Sequence, residues 1–442
     1  MREAPAAGIA VRDLAWIDGF YAGMRPYLFS RKEDGVVILP PNRVYKANPS
    51  GIAVLEHLER GGKIAAFPGL RDGERAAQVN GFFSDLRDFC AGSGGNLDGR
   101  PSVELIPFDF AYTTLPILGE IAVTYRCNNS CLFCYASCGS RGAGGREMTL
   151  PEIKRIIRIF KTDARIPFFS FTGGEPLLRE DLEKMIRFAE RLGLKTNLVT
   201  NGTLACPERA KSLHKSGLRT AQVSVESPEK DVHDRLASCP GSWEKTIAGI
   251  DNFRKAGISV QTNTTITAKN APSAPRMPAF LKSLGVSRFA MNLYIPMRAG
   301  TDELFFPYSA IGSVIEDVRL AARAEGMTFY WYSPVPHCIY NPIARGLGNK
   351  SCAAMDGLLS VSPEGDVLPC SSYPRPMGNL LKDGFRRIWF SDAAKHFKNK
   401  EYAPAQCAGC AGFTACQSAC PLYWERAGTR EIRCPGSAVK EA

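Results

Sequence analysis

Between residues 115 and 330, short apolar runs and amphipathic runs take turns with a regularity that leaves few folds open. "GEIAVTY" (119–125), "PFFSFTGG" (167–174), "KTNLVTNG" (195–202), "RTAQVSVES" (219–227), "ISVQTNTTI" (258–266) and "SRFAMNLYI" (287–295) read as strands. Helices are expected at 149–160, 179–192, 207–216, 242–256, 275–284 and 309–325. In the first of them Thr149 and Glu152 form a capping box, and Ile153, Ile156, Ile157 and Phe160 make one apolar face. Six β-α units with near-continuous apolar strands predict an α/β fold with a parallel sheet covered by helices. Doubly wound and barrel forms both fit this spacing.

The flanks of this series are built differently. "CAGSGGNLDGRPS" (90–102) reads as a linker that sets off residues 1–100. Within that unit "PYLFS" (26–30), "GVVILP" (35–40) and "RVYKA" (43–47) predict three small strands. A helix follows, with Ile52, Leu55 and Leu58 on one face, Ser50 as N-cap and Gly61 as stop, and then a second helix in "ERAAQVNGFFSDLRDFC". Three strands and then helices suggest a small winged-helix-like module. From 331 to 442 the periodicity dissolves into Cys, Pro and Gly, with a hairpin expected over 357–370. So little apolar content calls for staples, and metal would supply them.

Neither the N-terminus nor any later stretch has the apolar run of a signal peptide or a transmembrane helix, so a cytoplasmic protein is expected. Fifteen cysteines in such a chain point to metal or catalysis rather than disulfides. The net charge of +11 suits an acidic peptide or an anionic cofactor. No run of five basic residues and no zinc-finger His pair supports nucleic acid as a partner.

Cys127, Cys131 and Cys134 have the spacing C-x3-C-x2-C directly after the first strand of the series. Three thiolates can hold three irons of a [4Fe–4S] cube and leave the fourth open to a ligand. A zinc site short of one ligand, or structural thiols, would also fit this spacing taken alone. The second strand ends in "FTGGEP", where Gly173 and Gly174 would let a ligand approach the backbone and Glu175 offers a carboxylate. Toward the C-terminus Cys352 and Cys370 flank Gly365. Then come Cys407, Cys410, Cys416 and Cys420 in "CAGCAGFTACQSAC", and finally Cys434. Seven thiols with turns between them suit metal better than a hydrophobic core, as iron–sulfur clusters or as a pair of zinc ribbons.

The cysteine triplet on strand one together with GGEP on strand two resembles the radical S-adenosylmethionine (radical SAM) superfamily, over residues 118 to about 300. The resemblance implies a partial (β/α)6 barrel over 115–330, a [4Fe–4S] cluster whose open iron chelates SAM, and a 5′-deoxyadenosyl radical. By the same resemblance Phe133 and Tyr135 flank the third cysteine of the site. Gly173, Gly174 and Glu175 would meet the methionine amino group, Ser224 and Glu226 the ribose, and Arg235 the SAM carboxylate. Asn201 would line the pocket or serve its turn. Cys138 would close the open iron if it joined the triplet, so it is expected to stand apart.

The C-terminal spacing resembles the SPASM extension. That resemblance implies two auxiliary [4Fe–4S] clusters, three clusters in all. Cys407, Cys410, Cys416 and Cys434 would hold one auxiliary cluster, and Cys352, Cys370 and Cys420 the other, with either Cys338 as the fourth ligand or that iron open to substrate. The N-terminal stretch "YLFSRKEDGVVILPPNRVYKANPSGIAVLEHLERG" resembles the PqqD-like peptide-recognition element, in which an edge strand binds a leader peptide by strand addition. The expected function is therefore oxidative crosslinking of a ribosomally made precursor peptide, with flavodoxin or ferredoxin as electron donor. The alternatives are a small molecule or tetrapyrrole as substrate, a protein residue as in sulfatase maturation, or a non-catalytic iron–sulfur carrier.

Overall fold

The computed structural model describes residues 10–39, 43–91, 112–136, 138, 145–296 and 301–432. The chain divides into two compact units, 1–117 and 118–442. Among the described residues no helix is long and apolar enough to cross a membrane.

In the first unit strands β1 (Phe29–Arg31), β2 (Val36–Leu39) and β3 (Arg43–Lys46) form an antiparallel sheet with β2 in the centre. Phe29 pairs with Ile38, and Val36 with Lys46. The strand expected over 26–30 is shifted toward Arg31. Helices Pro49–Glu59 and Gly73–Ala91 follow, as the sequence pattern predicts, but a helix at Trp16–Met24 precedes the sheet and was not anticipated. The N-cap of Pro49–Glu59 is Asn48 rather than Ser50. Its side chain accepts the Gly51 N–H at 2.8 Å, and Pro49 takes the first helical position, where a missing N–H costs nothing. The last helix runs through Cys90 to Ala91, so the expected linker starts no earlier than residue 92, outside the described residues.

The core of this unit joins Leu14, Ile17, Val37, Leu39, Ile52, Leu55, Leu58 and Phe83. Beside it lies a fully buried ion pair, Arg31 to Asp34 at 2.7 Å. Arg31 also donates to the carbonyls of Pro116 (2.7 Å) and Leu115 (3.1 Å), and Asp34 accepts the Thr114 N–H at 2.9 Å. One charge pair thus ties residues 114–116 to the β1–β2 hairpin.

The second unit is built on β4 (Leu118–Thr124), β5 (Phe168–Gly173), β6 (Lys195–Thr200), β7 (Thr220–Ser224), β8 (Ser259–Ile266), β9 (Arg288–Leu293) and β10 (Thr328–Trp331). All seven run parallel and each pairs with the next in sequence. The six predicted strands are present, and β10 adds a seventh. The predicted hairpin is β11 (Leu358–Val361) and β12 (Asp366–Leu368), turned at Gly365, whose φ is +90°. It belongs to the same sheet: β11 pairs parallel with β4, and β13 (Gly378–Asn379) pairs with β12 at the far edge. The cysteine-rich segment therefore begins as an extension of the barrel sheet.

Among the described residues β10 and β13 do not pair, so the barrel is partial. Its strands alternate where near-continuous apolar runs were expected. In β6, Thr196, Leu198 and Thr200 are buried while Lys195, Asn197 and Val199 are only partly so, and β8 repeats the pattern. Only one face is packed under helices, and the other lines a cavity. That one-sided burial decides for the partial barrel over the doubly wound form. The predicted helix faces pack as expected: Ile153, Ile156, Ile157 and Phe160 are buried, and Thr149 donates its N–H to Glu152 at 2.9 Å.

The buried Arg31–Asp34 pair carries a prediction. Asp34→Ala leaves a guanidinium buried without its counter-charge and should cost about 3 kcal/mol of stability in urea unfolding. Arg31→Met combined with Asp34→Ala should recover part of the loss. Equal losses would show that the pair is not electrostatically coupled.

Candidate active site

The strand ends of β4, β5 and β6 are knitted together by the "GGEP" turn. Gly174 donates its N–H to the Thr124 carbonyl (2.7 Å), and Glu175 donates its N–H to the Arg126 carbonyl (2.9 Å). A Cβ on Gly173 would stand 2.1 Å from the Thr124 carbonyl oxygen, and one on Gly174 would stand 2.2 Å from that of Arg126. Gly173 also has φ +133°. The backbone these glycines admit is therefore the root of the cysteine loop itself.

The Glu175 carboxylate is fully buried and fully used. It accepts from Leu177 N (2.9 Å), Thr200 Oγ1 (2.7 Å) and Asn201 N (2.8 Å). Burial pushes its pKa up to about 7 against the pull of those donors. Its carboxylate is spent on these three donors, and Glu175 is not among the residues lining the cavity. Gly173, Gly174 and Asn201 do line the cavity. Below the turn, Arg126 and Arg179 converge on Glu147, and Thr124 hydrogen-bonds the same carboxylate.

The cysteine loop is pinned on its other side by a helix that the sequence reading missed, Lys230–Ala237. Ser130 N donates to Ala237 O (3.1 Å) and Leu132 N to Leu236 O (2.9 Å). Leu132 and Phe133 pack with Leu236, Tyr294 and Leu304. Cys127, Cys131 and Cys134 come together at the mouth of a cavity of about 420 Å³. Burial pushes Cys127 up to about 11, with Glu175 and Cys134 adding to it. Cys131 is raised by burial and then by Glu226, Cys134 and Cys127. No Lys or Arg stands among the described residues of the cavity wall. Three such thiols shed their protons together only against a metal charge, and soft sulfur donors suit iron–sulfur chemistry.

Phe133, Tyr135, Ser224 and Glu226 line the cavity as expected, and Cys138 lines it as well. Glu226 is held by Thr265 N at 2.8 Å and pushed up to about 8 by burial. Arg235 is exposed and outside the cavity wall. The residue of its helix that reaches the cavity is His233, two positions earlier in "HDRL". Its Nδ1 accepts the Glu226 N–H at 3.2 Å, and burial drives its pKa down to about 4, so it is neutral. Sequence reasoning also missed Glu120, Gln222, Asn263, Asn292 and Ser371, all in the wall. Their signal was present for four of the five: Glu120, Gln222, Asn263 and Asn292 are polar residues within the strands.

The C-terminal thiols form two groups. Cys370 and Cys420 are raised by burial, and each lies beside Cys352. Cys407 is pushed up to about 11 by burial, followed by Cys416, Cys338 and Cys410. The N–H of His337 also donates to Cys416 Sγ at 3.2 Å. Cys338 therefore sits with Cys407, Cys410 and Cys416, not with Cys352, Cys370 and Cys420 as expected. Cys434 lies outside the described residues. Cys416 and Cys420 reach different groups because Gln417, Ser418 and Ala419 are all left-handed, with φ of 55°, 59° and 63°.

Around these thiols the Tyr402 hydroxyl lies against Cys352 and the Tyr308 hydroxyl against the Cys420 backbone.

Comparison with known proteins agrees with this chemistry. Residues 121–293 match the family model described as Radical SAM superfamily, and residues 352–411 match SPASM, an iron–sulfur cluster-binding domain. An AdoMet-dependent heme synthase of Oleidesulfovibrio alaskensis is 26% identical over 72% of this chain and 83% of its own length. The mycofactocin maturase MftC of Mycolicibacterium smegmatis is 24% identical over 69% of this chain and 78% of its own. Among solved structures, Streptococcus suis SuiB shares the fold with TM-score 0.68 at 16% identity, over 90% of this chain and 95% of that one. SuiB bound to its precursor peptide SuiA matches with TM-score 0.66.

Two predictions follow from the loop and its turn. Gly174→Ala forces a Cβ onto the Arg126 carbonyl and should cost roughly 2–3 kcal/mol, with loss of SAM binding in equilibrium dialysis. Cys131→Ala should remove the SAM-cluster iron and abolish 5′-deoxyadenosine formation, while Cys138→Ala should leave both largely intact. Equal losses in the two cysteine variants would overturn the ligand assignment.

Proposed function

We propose that this radical SAM enzyme, with its C-terminal SPASM domain, oxidatively crosslinks a ribosomally made precursor peptide. The observation that carries the reading is the chemistry of the cavity wall. Besides the thiols, a neutral His233 and a few aliphatic side chains, its described residues offer amides, hydroxyls and aromatic rings, with two carboxyl groups, Glu120 and Glu226, that burial drives toward the neutral form. A tetrapyrrole bearing several carboxylates would call for Arg or Lys, and the wall has none among its described residues. A peptide presents neutral N–H and C=O groups. Asn263 donates to Asn292 Oδ1 at 2.7 Å and keeps its own carbonyl oxygen buried without a partner, ready for a substrate N–H.

The match to SuiB supports the same reading. It spans 90% of the chain, more than residues 118–442 alone could supply, so that fold includes part of the N-terminal unit. In that unit β3 is an edge strand, with Arg43 and Lys46 exposed. An extended, acidic leader segment would add to this edge and meet those cations.

Cys127, Cys131 and Cys134 would hold the SAM-binding cluster, with Gly173, Gly174, Asn201, Ser224 and Glu226 around the cofactor. When bound, SAM and its cluster supply a 5′-deoxyadenosyl radical that abstracts hydrogen from the substrate. Phe133, packed on Leu236 and Tyr294, keeps water from the loop side of the cavity. His233 holds the Glu226 backbone, and Thr265 orients the Glu226 carboxyl. Cys352, Cys370 and Cys420, and Cys338 with Cys407, Cys410 and Cys416, would hold the auxiliary clusters.

The test is incubation of the reconstituted enzyme with SAM, a reductant and candidate short precursor peptides sought among the neighbouring genes. The expected product has lost two hydrogens per crosslink by mass spectrometry, and binding of the leader should weaken in Arg43→Glu. Turnover of a tetrapyrrole, with no change in any peptide, would overturn the reading in favour of the activity named for the heme synthase relatives.

A further inference from the structure

Helices Phe385–Trp389 and Asp392–Lys398 follow the sheet extension β11–β13. Phe390, between them, is a large apolar side chain left 39% exposed. It is ringed by positive charge. The Arg386 guanidinium lies 5.1 Å from the Phe390 ring centre and the Lys398 ammonium 4.9 Å, and the neighbouring Arg387 is exposed. A third exposed guanidinium, Arg375, lies 5.8 Å from the ring centre of Tyr373. The nearby acids are already engaged: Asp383 accepts the Asn379 N–H at 2.8 Å, Asp392 pairs with Lys395 at 2.8 Å, and Glu401 faces His396 at 3.2 Å.

Aromatic rings pack next to this surface. Lys398 also sits 4.4 Å from the Trp389 ring centre and donates to the Trp389 carbonyl at 2.9 Å. Its neighbour Phe397 meets Tyr373 edge-on at 5.4 Å and Tyr402 at 6.0 Å. Tyr373 donates its N–H to the Cys370 carbonyl at 3.0 Å, and the Tyr402 side chain lies beside Cys352. The packed rings of Tyr373, Phe397 and Tyr402 thus connect the segment carrying Lys398 and Arg375 to Cys352 and Cys370. These thiols fit an iron–sulfur cluster, and they lie deeper than solvent.

We propose that the surface around Phe390, Arg375, Arg386 and Arg387 is the docking site of a small acidic one-electron carrier protein. An exposed apolar centre with a cationic rim is the complement of a carrier whose redox group opens through an acidic surface. The exchange is a single electron: the carrier is oxidised by one equivalent and the enzyme's iron–sulfur complement is reduced by one. The proposal does not depend on which substrate the cavity takes.

The test uses the full-length, iron-loaded enzyme without substrate and reduced flavodoxin as the probe, with iron–sulfur bleaching followed by stopped flow. The wild-type rate constant should fall steeply between low and physiological salt. Arg386→Glu with Arg387→Glu should lower it about ten-fold or more at low salt, since charge reversal acts mainly on association. Reduction by dithionite, a small reductant needing no docking, should be unchanged. Arg375→Glu, from a separate loop, should act in the same direction and guards against a local folding defect in the double variant. Flavodoxin rates equal to wild type in both variants, or a matching fall in the dithionite rate, would overturn the proposal.

Discussion

The site depends on a contact between two stretches of backbone. Where β5 leaves the sheet, Gly173 and Gly174 lie against the carbonyls of Thr124 and Arg126 with no room for a Cβ. The cysteine loop springs from that same segment, so its first thiol is fixed by main-chain hydrogen bonds before any side chain acts. Glu175 extends the join to β6 by spending its carboxylate on Thr200 and Asn201. A buried carboxyl that is raised by desolvation yet holds three donors is costly to disturb, because its loss would orphan all three. The loop is then closed from the far side by the helix carrying Leu236 and Ala237.

On this frame the barrel remains half a barrel in its packing. Helices cover one face, and the other keeps amides and hydroxyls open to a cavity. The C-terminal segment completes the wall: Ser360 on β11 and Ser371, next to Cys370, both hydrogen-bond Glu120 of β4. Cys127, Cys131 and Cys134 and the Ser371–Ser372 segment next to Cys370 therefore contribute to a single chamber. Burial, not a counter-charge, holds the chamber's carboxyls toward their neutral forms, which suits a neutral, hydrogen-bonding substrate.

Much of this was legible beforehand where the signal is local. Helix periods, the Thr149–Glu152 capping box and the strand after which the thiols follow are set by residues within a few positions of one another. Signals that depend on a distant partner were read less well. Asn48 displaced Ser50 as a cap because Pro49 takes the first turn, a choice of one position. Arg235 and His233 share one short helix, and which of them faces the cavity depends on how that helix docks on the cysteine loop. Polar residues such as Gln222 and Asn263 looked incidental in their strands until the sheet curved and aimed them at one space.

The spacing of Cys127, Cys131 and Cys134, the GGEP turn and the C-terminal cysteine array determined the chemistry by themselves, because few arrangements of soft donors serve anything but metal. The alternation of strand and helix determined the fold class. Tertiary structure alone decided how the thiols are grouped. Three successive left-handed residues send Cys416 and Cys420 to different groups, and a chain segment seventy-odd residues upstream brings Cys338 to the group opposite the one expected. Spacing along a chain limits which thiols can meet, but backbone dihedrals and the packing of distant segments choose among the meetings it allows.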